Sequence, residues 1–189
     1  MMRVEEGIKK RIQKEAHEDV TELDFKIASA INNINKDVSK RNDNTFQGID
    51  ELAFVMTEEL ALSTEESTVL IYVTSACMVL WKALHSKMCF ELEKRLGGQK
   101  VFIVTKKADA NNLLRRFGVR REMRKDCAIE DVVFPCRVVG KRVRVSANGK
   151  KTQLVFLDRQ PEMPLHALDG AGTAVAGGET RFIIQEGQQ

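Results

Sequence analysis

The stretch that decides the fold is Ile129-Glu-Asp-Val-Val-Phe-Pro-Cys-Arg-Val-Val-Gly-Lys-Arg-Val-Arg-Val145, followed by Ser146-Ala-Asn-Gly149 and a second apolar run that ends at Asp158. Proline disfavours helical geometry in the residue before it, so Phe134-Pro135 ends any helix that runs through residues 128–133. Apolar and basic residues alternate beyond that point, which is typical of a β-strand. The stretch therefore predicts a short helix, a stop and a strand.

The residues after this stop predict a basic β-hairpin. Asn148-Gly149 is a dipeptide that tolerates positive φ at both central positions of a tight turn, and Leu154 and Phe156 belong to the return strand. Successive side chains of a strand point to opposite faces, so one face can be core while the other is a row of guanidinium groups. The predicted core face carries Val143, Val145 and Ala147, and the opposite face carries Arg142, Arg144 and Ser146.

A strand-helix-strand unit is predicted upstream. Residues 69–73 form a continuous apolar run of strand length, and apolar residues recur at helical spacing from Trp81 to Leu96. Gly97-Gly98 provides a left-handed cap for that helix, and residues 101–104 form the next strand. Short joints in such a unit predict two parallel strands in one sheet.

The N-terminal part predicts helices. Residues 1–19 are polar and predict an arm or a solvated helix, whereas an apolar stripe over residues 20–38 indicates an amphipathic helix, with a second short helix at 46–53. The stripe either packs on the sheet of this chain or binds a partner helix. The predicted fold class is α/β, with N-terminal helices, the strand-helix-strand unit, then the short helix and basic hairpin in one mixed sheet. Residues 20–189 are expected to form a single α/β domain with a basic arm at 106–126.

Residue patterns argue against an enzyme. Gly140-Lys141 and Gly149-Lys150 lack the upstream glycine of a phosphate-binding loop, and Gly170-Ala-Gly172 lacks the third glycine of a dinucleotide fingerprint. The three histidines have no spacing that suggests a metal pair or a nucleophile. The four cysteines lack close pairs, so they are expected to be reduced small hydrophobes rather than zinc ligands. We therefore expect no catalytic residues, metal, cofactor or small-molecule substrate, and the absence of a long apolar run predicts no membrane partner.

Charge is unevenly distributed along the chain. The segment from Lys94 to Arg159 holds 18 Lys and Arg against 6 Asp and Glu, whereas the remainder holds 12 against 21. Such polarity indicates a surface for a polyanion, and the scarcity of aromatic residues favours recognition of RNA backbone and shape over stacking on bases. A solvated charged surface is the alternative. The candidate RNA-binding residues are Lys106, Lys107, Arg115, Arg116, Arg120, Arg121, Arg124, Lys125, Lys141, Arg142, Arg144, Lys150 and Lys151.

Two blocks of sequence resemble a known family. The runs Glu130-Asp-Val-Val-Phe-Pro135 and Val139-Gly-Lys-Arg-Val-Arg-Val145, with Phe90-Glu-Leu-Glu-Lys-Arg-Leu96 upstream, are similar to the eukaryotic small-subunit ribosomal protein family S seven e. This family is distinct from the universal seventh protein of that subunit. The resemblance implies a structural component of the cytosolic small subunit that contacts ribosomal RNA and neighbouring ribosomal proteins. It also implies assembly in the nucleolus, with no catalytic residues and no obligate cofactor.

The resemblance also bears on individual residues. It implies that Lys106, Lys107, Lys141, Arg142 and Arg144 face RNA. The family usually has a longer and more basic insertion than residues 108–127 provide here. A second hypothesis, from a different class, is a non-ribosomal adaptor or RNA-binding module that binds a partner through the amphipathic helix at 20–38.

Overall fold

The computed structural model describes residues 10–14, 19–41, 44–62, 66–106 and 121–184, with Asn44 and residues 121–126 described by their backbone. Four α-helices and six strands have both of their ends in these ranges. They are α1 (Glu22–Arg41), β1 (Met56–Ala61), β2 (Ser67–Val73), α2 (Ser75–Arg95), β3 (Lys100–Thr105), α3 (Arg121–Val133), β4 (Val138–Val145), β5 (Lys151–Leu157), α4 (Leu165–Ala176) and β6 (Thr180–Ile184). This order of elements confirms the predicted α/β class.

The strands form two sheets, so the prediction of one mixed sheet is wrong. One sheet has the order β1-β2-β3 and the other has the order β4-β5-β6. In the second sheet, β5 pairs with β4 in antiparallel orientation and with β6 in parallel orientation. The prediction failed because the residue pattern of a strand indicates its two faces but not the strand with which it pairs.

The chain divides into two compact units. The first comprises residues 1–59 and 69–106, and the second comprises residues 60–68 and 107–189. The end of β1 and the start of β2 therefore belong to the second unit. The prediction of one domain from residue 20 onward stays a prediction, because compactness does not show whether a unit folds independently.

Helix α1 packs its apolar stripe inside the first unit. Ile27, Ile31 and Ile34 are buried in one core cluster with residues of α2, β2 and β3. The helix begins with a reciprocal pair of hydrogen bonds, in which Thr21 N donates to Asp24 Oδ2 (2.8 Å) and Asp24 N donates to Thr21 Oγ1 (3.2 Å). The stripe is therefore core, and the adaptor hypothesis that required it to be free for a partner is wrong.

The β2–α2–β3 unit matches its prediction. Thr74 caps α2 by accepting a hydrogen bond from Cys77 N, and Gly97 and Gly98 have φ of 76° and 90° at the other end. Lys106 N donates to Val73 O at 2.8 Å, so the C-terminal ends of the two strands lie side by side. The two adjacent strands are therefore parallel.

The segment before β1 differs from its prediction. The short helix predicted at 46–53 is instead two 3₁₀ helices, Asn44–Phe46 and Ile49–Glu51, because Gly48 between them has φ of 87° and interrupts the helical backbone. Arg11, in the arm predicted to be polar or solvated, is 5% exposed. Its Nη1 donates to the carbonyl oxygens of Ile49 (2.8 Å) and Leu52 (3.0 Å), which are the first residue of the second 3₁₀ helix and the residue that follows it.

The second unit packs α4 on one face of the β4-β5-β6 sheet. Val155, Leu157 and Phe182 are buried on that face. A Cβ atom at Gly172 of α4 would lie 2.6 Å from the Phe182 ring, so this close approach requires glycine. Helix α3 ends at Val133, before the predicted stop at Phe134-Pro135, and begins at Arg121, well before the expected start.

Candidate nucleic-acid interface

The hairpin turn lies one residue earlier than its sequence predicts. Gly149 N donates to Ser146 O and Ser146 N donates to Lys150 O, both at 2.9 Å, so Ala147 and Asn148 are the central residues. Gly149 follows them with φ of 79°. A turn followed by one left-handed residue is a common three-residue hairpin loop, because the resulting bulge matches the twist of the strands. The expectation that Asn148-Gly149 supplies both central positions is therefore wrong.

The pairing of β4 with β5 places two arginines on one face. Arg142 lies opposite Leu154 and Arg144 lies opposite Thr152, with Val143 between them opposite Gln153. Alternation along the strand puts both guanidinium groups on the same side of the sheet, with their Cα atoms about 6.7 Å apart. The predicted basic face is therefore present.

The opposite face of β4 is not core, which corrects the sequence analysis. Val143 is 61% exposed and Val145 is 59% exposed, and Ala147 is exposed as well. The reason is that β4 lies at the edge of its sheet. Burial on this face is concentrated at β5 and β6, where Val155 and Phe182 lie side by side in the register.

The hairpin carries basic residues but no acidic residues. Residues 138–157 contain five Lys and Arg and no Asp or Glu. Arg142 and Arg144 are exposed, and neither side chain has an ion pair or hydrogen bond with the described part of the chain. Lys141 and Lys151 lie on the other face, opposite Val155 and Val145 in the register. The two arginines therefore form the hairpin's available pair of guanidinium groups.

Lys150 is occupied by an internal ion pair. Its Nζ lies 2.8 Å from Glu179 Oε2, and the same carboxylate accepts a hydrogen bond from Thr152 Oγ1 at 3.1 Å. Arg181 Nη2 lies 3.1 Å from the other oxygen. The Lys150 ammonium, with the Thr152 hydroxyl, holds the pKa of Glu179 below its ordinary value. Lys150 is accordingly a weaker candidate for contact with a polyanion than Arg142 or Arg144.

Arg181 is a basic residue of this face that sequence reasoning missed. It pairs in register with Leu154, which in turn pairs with Arg142, so the three residues form one row across the sheet. Only the parallel pairing of β5 with β6 brings Arg181 to this position. The sequence carries no clear signal for this, because Phe182, Ile183 and Ile184 are all apolar although Ile183 is exposed in the structure.

The other predicted residues are only partly described. Lys106 lies just after β3 in the first unit and is half-buried, whereas the hairpin belongs to the second unit. The backbone of α3 includes three more of them, and the side chains of these three lie outside the description. Those three are Arg121, Arg124 and Lys125, and the residues wholly outside the described ranges are Lys107, Arg115, Arg116 and Arg120.

The described residues do not form a metal site or a membrane-spanning helix. All four cysteines are free thiols, and no group of three or more His, Cys, Asp or Glu side chains among the described residues is arranged to hold a metal ion. None of the helices in the described ranges is both long enough and apolar enough to cross a bilayer. The basic hairpin is thus the surface that the arrangement of residues singles out.

The fold and this surface define an α/β protein that presents guanidinium groups on an edge strand. The family model described as Ribosomal protein S7e matches residues 11–167, which is most of the chain. The chain belongs to the ribosomal protein S7e family, as the resemblance predicted. Membership of this family supports a structural role in the ribosome.

Individual relatives agree with the family match. The chain is similar to the small ribosomal subunit protein eS7 of Dictyostelium discoideum, with 25% identity over 162 residues that cover 81% of each chain. The protein of the same name from Caenorhabditis elegans is 27% identical over 151 residues, which cover 74% of this chain and 75% of the relative. The one from Avicennia marina is 25% identical over 154 residues, which cover 78% and 79%.

Proposed function

We propose that this chain is a structural component of the cytosolic small ribosomal subunit and that its hairpin binds the backbone of ribosomal RNA. The relatives named as small-subunit proteins support the first part. The second part rests on one observation, which is that Arg142 and Arg144 share an exposed face and have no anionic partner among the described residues. Guanidinium groups without such a partner make bidentate hydrogen bonds to phosphate.

The chemistry of this face suits folded RNA better than exposed bases. Among the described residues, Arg142 and Arg144 supply the unpaired charge of this face, whereas Arg181 in the same row is paired with Glu179. Trp81, the only tryptophan, is fully buried and unable to stack on a base. Double-stranded RNA is recognised mainly through phosphates, 2′-hydroxyls and helix shape. We therefore propose contacts to sugar and phosphate rather than to base edges.

The proposal includes the rest of the assembly. Neighbouring small-subunit ribosomal proteins are the expected protein partners, and incorporation in the nucleolus precedes work in the cytoplasm. The predicted arm at 106–126, with Lys106, Lys107 and the arginines that follow, extends the proposed RNA contact. No catalytic step, cofactor or small-molecule substrate is part of this role.

A pair of matched variants tests the RNA contact. Arg142→Gln with Arg144→Gln removes two unpaired charges, whereas Lys150→Gln removes one that is already paired with Glu179. Binding to a ribosomal RNA fragment is measured across a range of salt concentrations. The double variant is expected to bind more weakly and to lower the salt slope by about 1.4 to 1.8, because each phosphate contact contributes about 0.7 to 0.9. Lys150→Gln is expected to change the slope less per charge removed.

Equal slopes for wild type and double variant would contradict the RNA contact. A separate measurement addresses the ribosomal role, since a lysate can be sedimented through a gradient after a high-salt wash and probed for this chain. The chain is expected in the small-subunit fractions. Signal confined to the top of the gradient would overturn the role as an integral component.

A further inference from the structure

Along the outer edge of β4, no other strand of the described ranges pairs with the backbone of Val143 and Val145, and their apolar side chains are exposed. Bonded and non-bonded residue pairs alternate along an antiparallel ladder, and Ser146 N donates to Lys150 O at the turn. The pairs Arg144–Thr152 and Arg142–Leu154 are consequently the bonded ones. The N–H and C=O groups of Val143 and Val145 therefore point away from β5, toward the edge of the sheet.

The same two valines expose most of their side chains. Val143 and Val145 are 61% and 59% exposed, and Val139 is 57% exposed further along the strand. A strand edge with apolar side chains is a template for another strand, and folded proteins usually cover it, charge it or interrupt it. Here the register is interrupted between Val138 and Gly140, which leaves the distal part of β4 as the regular edge.

Charge decides what kind of strand fits this edge. An added strand would place alternate side chains beside Arg142 and Arg144 on one face and beside Val143 and Val145 on the other. A second copy of this chain would bring arginine against arginine, and the hairpin offers no carboxylate to relieve that repulsion. A strand that alternates acidic and aliphatic residues complements both faces at once.

We propose that the edge of β4 binds an extended segment of a partner protein in which acidic and aliphatic residues alternate, so that the segment becomes a fourth strand of the sheet. The contact is made by the backbone of Val143 and Val145, with their side chains packing against the aliphatic positions of the partner. The guanidinium groups of Arg142 and Arg144 project from one face of the sheet and not from its edge. They therefore orient the acidic side chains of the partner segment. The backbone edge takes no part in the proposed binding of RNA, although the guanidinium groups of Arg142 and Arg144 serve both contacts.

A proline substitution distinguishes binding through the backbone edge of β4 from binding through the charges of its arginines. In Val143→Pro the lost N–H is one that faces outward, so the β4–β5 ladder keeps its hydrogen bonds. Val143→Ala keeps the N–H and serves as the matched control. Circular dichroism and thermal unfolding of the full chain are used to check that both variants fold before binding is measured. Any difference in binding between them then reports on the backbone edge.

The probe is a fluorescent peptide of about seven residues that alternates Glu and Val, a usual strand length. Its anisotropy is measured with the full chain, alongside the same peptide carrying N-methyl groups on alternate residues. Val143→Pro and the N-methylated peptide are each expected to weaken binding by about tenfold, because backbone hydrogen bonds are lost. Val143→Ala is expected to weaken binding by much less.

Several outcomes would overturn this inference. Equal peptide binding by wild type and Val143→Pro would show that the edge is not used. Loss of binding with Arg142→Gln and Arg144→Gln but not with Val143→Pro would reduce the contact to charge alone. Self-association of the chain that Val143→Pro abolishes would make a second copy the occupant. Weaker RNA binding by Val143→Pro would assign the edge to RNA, whereas normal RNA binding leaves the proposed function intact whatever the peptide does.

Discussion

Strands β2 and β4 have similar residue types and opposite surroundings. Both are rich in β-branched residues, yet Val69 and Ile71 of β2 are fully buried whereas Val143 and Val145 of β4 are largely exposed. β2 is the central strand of its sheet and β4 is an edge strand. This difference shows that β-propensity predicts a strand but not its burial, because burial depends on which elements cover the strand.

The largest effect is expected where side chains pack with β2. Trp81 is fully buried in the same cluster as Val69 and Ile71, and its Nε1 donates to Ala53 O at 3.0 Å. Trp81→Ala is expected to lower the free energy of unfolding by about 3 to 5 kcal/mol. Phe90 on the same helix is 67% exposed, so Phe90→Ala is expected to change it by less than about 0.5 kcal/mol. Urea unfolding measures both, and similar losses would contradict the assigned burial.

Charged residues show the same difference between buried and exposed positions. Asp24 is fully buried, and it accepts hydrogen bonds from Thr57 N (2.9 Å) and Thr57 Oγ1 (2.7 Å) while pairing with Lys14 Nζ at 2.7 Å. Asp24→Ala is expected to lower the free energy of unfolding by about 3 kcal/mol, because it breaks a buried ion pair with Lys14 and removes the acceptor of two hydrogen bonds from Thr57. The exposed charges of Arg142 and Arg144 are expected to contribute little to stability. Thermal unfolding of Asp24→Ala and of the double glutamine variant tests this difference.

The same carboxylate predicts a dependence of stability on pH. Burial raises the pKa of Asp24, but the hydrogen bonds from Lys14, Thr57 and Thr21 outweigh burial, so the pKa lies below its ordinary value. A lowered pKa in the folded state means that the stabilisation is fully present above the unfolded value of about 3.9 and is lost as pH falls through the folded value. Asp24→Ala should lose less stability than wild type over that acidic range. Identical acid profiles would contradict the predicted contribution.

The same substitution made in β2 and in β4 tests the comparison of the two strands directly. Val69→Thr places a hydroxyl in a fully buried position and is expected to cost about 1 to 3 kcal/mol. Val143→Thr makes the same change at an exposed position and is expected to cost less than about 0.5 kcal/mol. Chemical unfolding of the two variants under identical conditions gives the comparison. Equal costs would show that β4 is covered in solution.

The smallest effect is expected at the hairpin turn. Gly149 has φ of 79°, a conformation that costs an L-residue about 1 kcal/mol, so Gly149→Ala should destabilise the protein by about that amount. Gly178 is exposed, and a Cβ atom there would meet nothing within 4 Å. Gly178→Ala is therefore the control and should be nearly neutral. Thermal unfolding compares the two, and a neutral Gly149→Ala would contradict the described turn.

Local sequence predicted most of the elements. The apolar run at residues 69–73, the helical spacing from Trp81 to Leu96 and the stop at Phe134-Pro135 each correspond to an element or an end in the structure. These signals succeed because they act within a few residues, through backbone sterics and periodic burial. The short helix at 46–53 failed for a local reason too, since the left-handed backbone of Gly48 interrupts it.

The candidate interface was only half predictable. Alternation along β4 predicted that Arg142 and Arg144 share a face, because strand geometry alone requires it. It did not predict that Lys150 would pair with Glu179, nor that Arg181 would join the row through Leu154. Both facts depend on β6 lying beside β5, a pairing between segments distant in sequence.

The periodicity of the elements, the breaks between them and the excess of basic residues in the hairpin can all be read from the order of residues. Tertiary structure alone decided that the strands form two sheets, that α1 buries its stripe and that β4 lies at an edge. The physical reason is that periodicity gives each segment two faces, whereas burial is a property of contacts between segments. Those contacts depend on which strands pair with one another, and the local spacing of apolar residues does not indicate that pairing.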